Sequence, residues 1–175
     1  MSKIASEHEN PKKVQDYLGS IRENSRQMMD AMSDMVWAIN PENDSLSRMF
    51  MRLKVFAAEI LEPLAMRYTF HMDPDLQDFR LNLNVRKDLY LILKEAVTNT
   101  AKYSQATQLE VIFHKQGNNL SITVQDNGVG MPVGQALGGN GIKNMHYRAN
   151  HIKASIQVES SQGLGTKILM IMPLT

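Results

Sequence analysis

Val14, Leu18, Ile21, Ser25, Met28, Met32, Met35 and Ile39 follow one another at intervals of 4, 3, 4, 3, 4, 3 and 4. That is the a/d seam of a heptad sustained for several turns, and a helix carrying it needs other helices to cover it. Pro11 suits the first turn, where its missing N–H would be unpaired in any case. Pro41 ends the helix, because the residue before a proline is pushed out of the α region. Met29, Val36 and Trp37 widen the apolar surface beyond a two-stranded seam, which predicts a four-helix bundle. A core helix packed on its own domain is the alternative; a period held so close to 3.5 favours the bundle.

Beyond Pro41 the pattern changes. A second helix begins at the cap signal Asn43-Asp44-Ser45, carries Leu46, Met49, Phe50, Leu53, Phe56, Ala57, Ile60 and Leu61 on one face, and ends or bends near Pro63. A strand over 68–72 and a helix over 85–103 follow. Strands over 108–114 and 120–125 form a hairpin around Gly117-Asn118-Asn119. A helix over 141–151 precedes two strands, 155–159 and 166–172, which flank Gly163-Leu164-Gly165. Mixed helices and strands, with tight turns between late neighbours, predict an α+β fold: a two-layer α/β sandwich whose mixed, largely antiparallel sheet is covered on one face by helices, preceded by a long bundle-forming helix. At 175 residues the chain has room for one full domain and a smaller appendage, and the boundary is expected at 1–41 and 42–175.

Composition removes several function classes. Nineteen Lys and Arg against eighteen Asp and Glu leave a formal charge of +1, so no long-range field favours nucleic acid or an anionic membrane. The absence of cysteine excludes disulfides, thiolate metal sites and a thiol nucleophile, so any metal must be held by oxygen or imidazole. No apolar run approaches the roughly 18 residues needed to span a bilayer, and MSKIASEHEN lacks the apolar core of a secretion signal.

Three segments carry chemistry. In RKDLYLILKEAVTNTAKYS, a projection at 100° per residue places Leu89, Tyr90, Leu93, Val97 and Thr100 on one side, with Asp88, Glu95, Asn99 and Lys102 clustered opposite. Alone, that stripe suits a solvated face. In VQDNGVGM an apolar strand runs into Asp126, and Gly128 and Gly130 leave backbone bare beside a carboxylate, which fits either a turn or a place where a flat ring approaches. In GGNGIKNM, preceded by Gly134, the glycines Gly138, Gly139 and Gly141 run into a helix whose free N–H groups suit phosphate. Neither GxxxxGK[ST] nor a GxGxxG after a strand is present.

LKEAVTNTAKYS, QDNGVGM, GGNGIKNMHYRA and GLGTKILMIMP resemble, in order, the N, G1, G2 and G3 boxes of the ATP-binding domain of two-component sensor histidine kinases, a fold shared with gyrase-type ATPases. The likeness covers about residues 43–175. SIRENSRQMMDAMSDMVWAINPENDSL resembles the second helix of the dimerisation hairpin in kinases of the nitrate-sensor type.

What the resemblance implies is specific. Glu95 would act as general base or polarise the attacking group, and Asn99 would ligate the Mg²⁺ that bridges the phosphates of ATP. Lys102 would neutralise phosphate charge, and Asp126 would accept from the adenine amino group. Gly128 and Gly130 would admit the ring, Thr166 would close the pocket near it, and Tyr103 and Ile142 would line it. Gly139 and Gly141 would let a lid fold over the triphosphate and present helix N–H groups to it, with Asn144 and Arg148 fixing the start of that helix or touching phosphate. Tyr103 stands where many relatives carry histidine, and the 131–138 stretch is short. The resemblance further implies homodimerisation through the hairpin helix, a response regulator as partner, and a cytoplasmic domain of a membrane-bound parent. Its phosphoacceptor histidine would lie on a preceding helix: His8, before Asn10-Pro11, suits a hairpin loop instead. A serine-directed kinase or ATPase on the same fold, and a nucleotide-binding module without turnover, are the alternatives.

Overall fold

The computed structural model describes residues 11–131 and 140–174; His8, Gly134, Gly138 and Gly139 lie outside them. The chain divides into two compact units, Met1–Asn40 and Pro41–Thr175.

In the first unit a single helix, α1, spans Pro11–Ile39. Its seam residues Val14, Leu18, Ile21, Met28, Met32, Met35 and Ile39 are exposed, Met28 to 68%.

The second unit begins with a short turn, Pro41–Asn43, and α2, Leu46–Leu61. The Ser45 hydroxyl accepts from the Arg48 N–H at 3.3 Å, the local reason the helix starts where the cap signal stands. After α2 come β1, Arg67–Met72, and α3, Leu83–Asn99, whose N-terminus is capped by the Asn82 side chain accepting from the Val85 N–H at 3.0 Å. Then follow β2, Gln108–Gln116, β3, Asn119–Asp126, α4, Asn140–His151, β4, Ser155–Ser160, and β5, Thr166–Pro173. The sheet order is β1-β2-β3-β5-β4, with β1 parallel to β2 and every other pair antiparallel. The chain therefore has the expected α+β architecture.

Alternate residues of the central strands build the core. Leu109, Val111 and Phe113 of β2, Leu120, Ile122 and Val124 of β3, and Ile168, Met170 and Met172 of β5 are all buried, while their neighbours along each strand are more exposed. Leu53, Ala57 and Leu61 of α2 and Leu89, Leu93 and Val97 of α3 are buried from the helical layer. Phe50 of α2 meets Phe70 and Phe113 edge to face at 5.7 and 5.3 Å.

One boundary differs from expectation. The third helix does not run regularly to 103: after Asn99 it opens into a wider π turn, Thr100–Ser104, and ends at Gln105 in the left-handed region with φ 52°. No glycine or proline marks the change; the Ser104 hydroxyl stabilises the turn by donating to the Thr100 carbonyl at 2.6 Å.

Candidate functional site

The C-terminal half of α3 forms one wall of a cavity of about 470 Å³, with Glu95 and Asn99 one turn apart on its lining. Thr100, Tyr103 and Ser104 of the π turn continue that wall. The wider turn rotates successive residues by less than a regular helix does, so the 100° projection fails beyond Asn99. Lys102 is consequently exposed and off the lining rather than beside Glu95 and Asn99.

The opposite wall is the end of β3. Asp126 is 5% exposed and lines the cavity. Its Oδ1 accepts from the Gly128 N–H at 2.8 Å and the Thr166 N–H at 3.3 Å, and its Oδ2 accepts from the Thr100 hydroxyl at 3.4 Å. Two backbone donors hold the carboxylate in orientation, while among the described residues the second oxygen has one long contact, with acceptor capacity to spare. Asn127 fastens the same loop to the start of β2: its Oδ1 accepts from the N–H groups of Thr107 and Gln108, both at 2.9 Å.

The glycines of this loop have different tasks. Gly130 lines the cavity at φ +66°, where a Cβ would lie 2.1 Å from the Ser161 carbonyl oxygen. Gly128 was expected to admit a ring, but it is buried off the lining, and a Cβ there would stand 2.1 Å from the Ser104 carbonyl oxygen. Its bare backbone lets the loop reach the π turn, where the Val129 N–H donates to the same oxygen at 2.7 Å. Beyond Gly130, the Met131 N–H donates to the Ser160 hydroxyl at 2.8 Å, and that hydroxyl lies 3.0 Å from the Thr166 hydroxyl.

The first turns of α4 close the remaining side through Asn140, Gly141, Ile142 and Met145. Gly141 lies against the tip of the Glu95 side chain: a Cβ would stand 2.1 Å from Glu95 Oε1, which can turn aside, and 3.5 Å from Asn99 Nδ2. Val158, Thr166 and Ile168 complete the lining from the sheet. Of the residues the sequence pointed to, Glu95, Asn99, Tyr103, Asp126, Gly130, Gly141, Ile142 and Thr166 come together on one cavity. Lys102 and Gly128 do not, and Gly139 lies outside the described residues.

Arg148 and Asp88 also differ from expectation. Arg148 Nη1 donates to Asp88 Oδ1 at 3.3 Å and neither residue lines the cavity, so Arg148 ties α4 to α3. Asp88 leaves the solvated stripe for a buried position with His151 as its second partner, Nδ1 lying 2.5 Å from Oδ2. Thr100 was legible only as an apolar-side residue; its partner Asp126 is 26 positions on, and nothing local announces the pairing.

The family described as Histidine kinase-, DNA gyrase B-, and HSP90-like ATPase matches residues 84–175. The sensor protein VraS of Staphylococcus haemolyticus is 36% identical over 101 residues, 57% of this chain and 29% of that protein. The sensor histidine kinase LiaS of Bacillus subtilis is 29% identical over 123 residues, 70% of this chain and 34% of its own length. The chain thus spans about a third of the curated relatives it matches. Among solved structures, the Acinetobacter baumannii histidine kinase AdeS superposes with TM-score 0.69 at 14% identity, covering 95% of this chain and 86% of that one. The histidine kinase domain of the Erythrobacter litoralis EL346 blue-light activated kinase does so with TM-score 0.65 at 18% identity, covering 90% and 84%. At such identities these likenesses establish the fold, and the sequence match over just over half of the residues establishes the lineage: the chain belongs to the histidine kinase-, DNA gyrase B- and HSP90-like ATPase family.

Proposed function

We propose that the chain is the ATP-binding catalytic module of a sensor histidine kinase, passing the γ-phosphoryl group of ATP to a histidine on a dimerisation helix and thence to a response regulator. The observation that carries this reading is the convergence of Glu95, Asn99, Asp126 and Gly141 on one cavity of about 470 Å³, a size suited to a small-molecule ligand. Asp126 Oδ2 would accept from the adenine amino group, with Thr100 and Thr166 beside it. The phosphates would extend toward Asn99 and the α4 N-terminus, whose free N–H groups favour anions.

Magnesium fits this donor set. It prefers oxygen ligands and is commonly held by one or two protein groups together with substrate phosphates. Glu95 and Asn99 offer a carboxylate and an amide oxygen on the lining, and among the described residues no cluster of three or more His, Cys, Asp or Glu could hold an ion alone. When bound, the ion would neutralise phosphate charge. Glu95 would orient the incoming imidazole and hold its ring proton while the bond from phosphorus to the bridging oxygen breaks, a bond to the ring nitrogen forms, and ADP departs.

Residues 1–41 are proposed as the second helix of a dimerisation hairpin in the nitrate-sensor branch and 42–175 as the catalytic domain, in a parent chain attached to a membrane. Among the described residues no helix is long and apolar enough to cross one. The test is to incubate the chain with Mg-ATP and a second chain bearing the first hairpin helix. Acid-labile, alkali-stable phosphate on the second chain is expected. Acid-stable phosphoserine would point to the serine-directed alternative, and nucleotide binding without transfer would overturn the kinase reading.

A further inference from the structure

The buried carboxylate of Asp88 lies outside the cavity, yet it fixes the helix that forms one of the cavity's walls. Asp88 is 5% exposed and holds two side chains of α4: Arg148 Nη1 at 3.3 Å on one oxygen and His151 Nδ1 at 2.5 Å on the other. A carboxylate withdrawn from water to this degree is costly unless such partners meet it, so the cluster has one favourable arrangement. Seven residues separate Asp88 from Glu95 on α3, and seven separate Gly141 from Arg148 on α4. Each interval is about 10.5 Å along a helix axis. The two helices are therefore matched, antiparallel, at two rungs: Asp88 with Arg148 at one end, and Glu95 with Gly141 at the other, where a Cβ would stand 2.1 Å from the carboxylate. Between the rungs Ile142 and Met145 are buried in a close-packed interior, so a shift at one end carries to the other.

We propose that Asp88 is a positioning residue for nucleotide binding: through Arg148 and His151 it anchors the far end of α4 and so sets how close Gly141 comes to Glu95 and Asn99. This rests on the ATP-binding reading above. Releasing the anchor leaves α4 free to pivot about its packed centre, which widens the end of the cavity where the phosphates would lie.

The test uses the full chain and a trinitrophenyl-ATP titration, with Asp88→Asn, Arg148→Gln, the double variant, Arg148→Lys, and Asp126→Asn for comparison. Asp88→Asn and Arg148→Gln are each expected to weaken binding about five- to tenfold, the double variant no further than either alone, and Arg148→Lys to restore much of the affinity. Hydrogen exchange should quicken over 140–151 and stay unchanged over β3. A purely structural role would lower the thermal midpoint but leave the affinity of the folded protein unchanged, and that result overturns the proposal. So do additive losses in the double variant. Should Asp88→Asn be unfolded at the assay temperature, Arg148→Gln decides, since Arg148 is a third exposed. Wild-type affinity in Asp88→Asn beside weakened binding in Asp126→Asn rejects the anchor alone; wild-type affinity in Asp126→Asn as well removes the ATP reading and the anchor with it.

Discussion

Asp126 divides its carboxylate between scaffold and site. Oδ1 is held by the N–H groups of Gly128 and Thr166, whereas among the described residues Oδ2 has only the long contact to Thr100 at 3.4 Å. A ligand amino group would find an oriented acceptor with no reorganisation to undergo, which is the condition for a strong hydrogen bond to a buried charge. Such a bond contributes about 1.5–3 kcal/mol. Asp126→Asn replaces one acceptor by a donor, so affinity for an adenine nucleotide is expected to fall at least about tenfold, with a smaller change for a guanine nucleotide; fluorescence titration with both checks this. Equal losses for the two bases would place the adenine contact elsewhere.

At the level of elements, the readable parts were those with a period. Alternation along 120–124 and the glycine turn at Gly117 announced the β2–β3 hairpin, and the heptad with its flanking prolines announced α1 to within a residue or two. The end of α3 was not readable, because its π turn carries no breaker and is stabilised by the Ser104 hydroxyl and by the loop that packs on it. That turn explains the two misplaced residues. It moves Lys102 off the polar stripe, and it brings the Ser104 carbonyl against Gly128, whose backbone is bare for packing. Asp88 was equally hidden, since its partner Arg148 is 60 positions away. At Gly128 the obstructing atom is a backbone oxygen at 2.1 Å, which cannot rotate aside. Gly128→Ala is expected to destabilise the domain by about 1–3 kcal/mol through this overpacking, measured as a lower denaturation midpoint. An unchanged midpoint would show that the loop is free to withdraw from the π turn.

At the scale of the whole chain, the division into Met1–Asn40 and Pro41–Thr175 separates two kinds of surface. The cavity is lined entirely by residues of the second unit. The heptad seam lies entirely in the first, and the exposure of Leu18, Ile21, Met28, Met32 and Met35 on one helix is the pattern that helix association removes from water. Each large apolar side chain fully buried in such an interface contributes about 1.5–3 kcal/mol, so burial of several seam side chains together is expected to favour self-association once the entropy of association is met. A charge placed in the seam must either be buried unpaired or hold the helices apart. Met28→Glu combined with Met32→Glu is therefore expected to shift sedimentation toward the monomer while leaving nucleotide affinity within about twofold of wild type, since the residues that line the cavity all belong to the second unit. Loss of affinity in the dissociated variant would mean that the cavity depends on the helical unit.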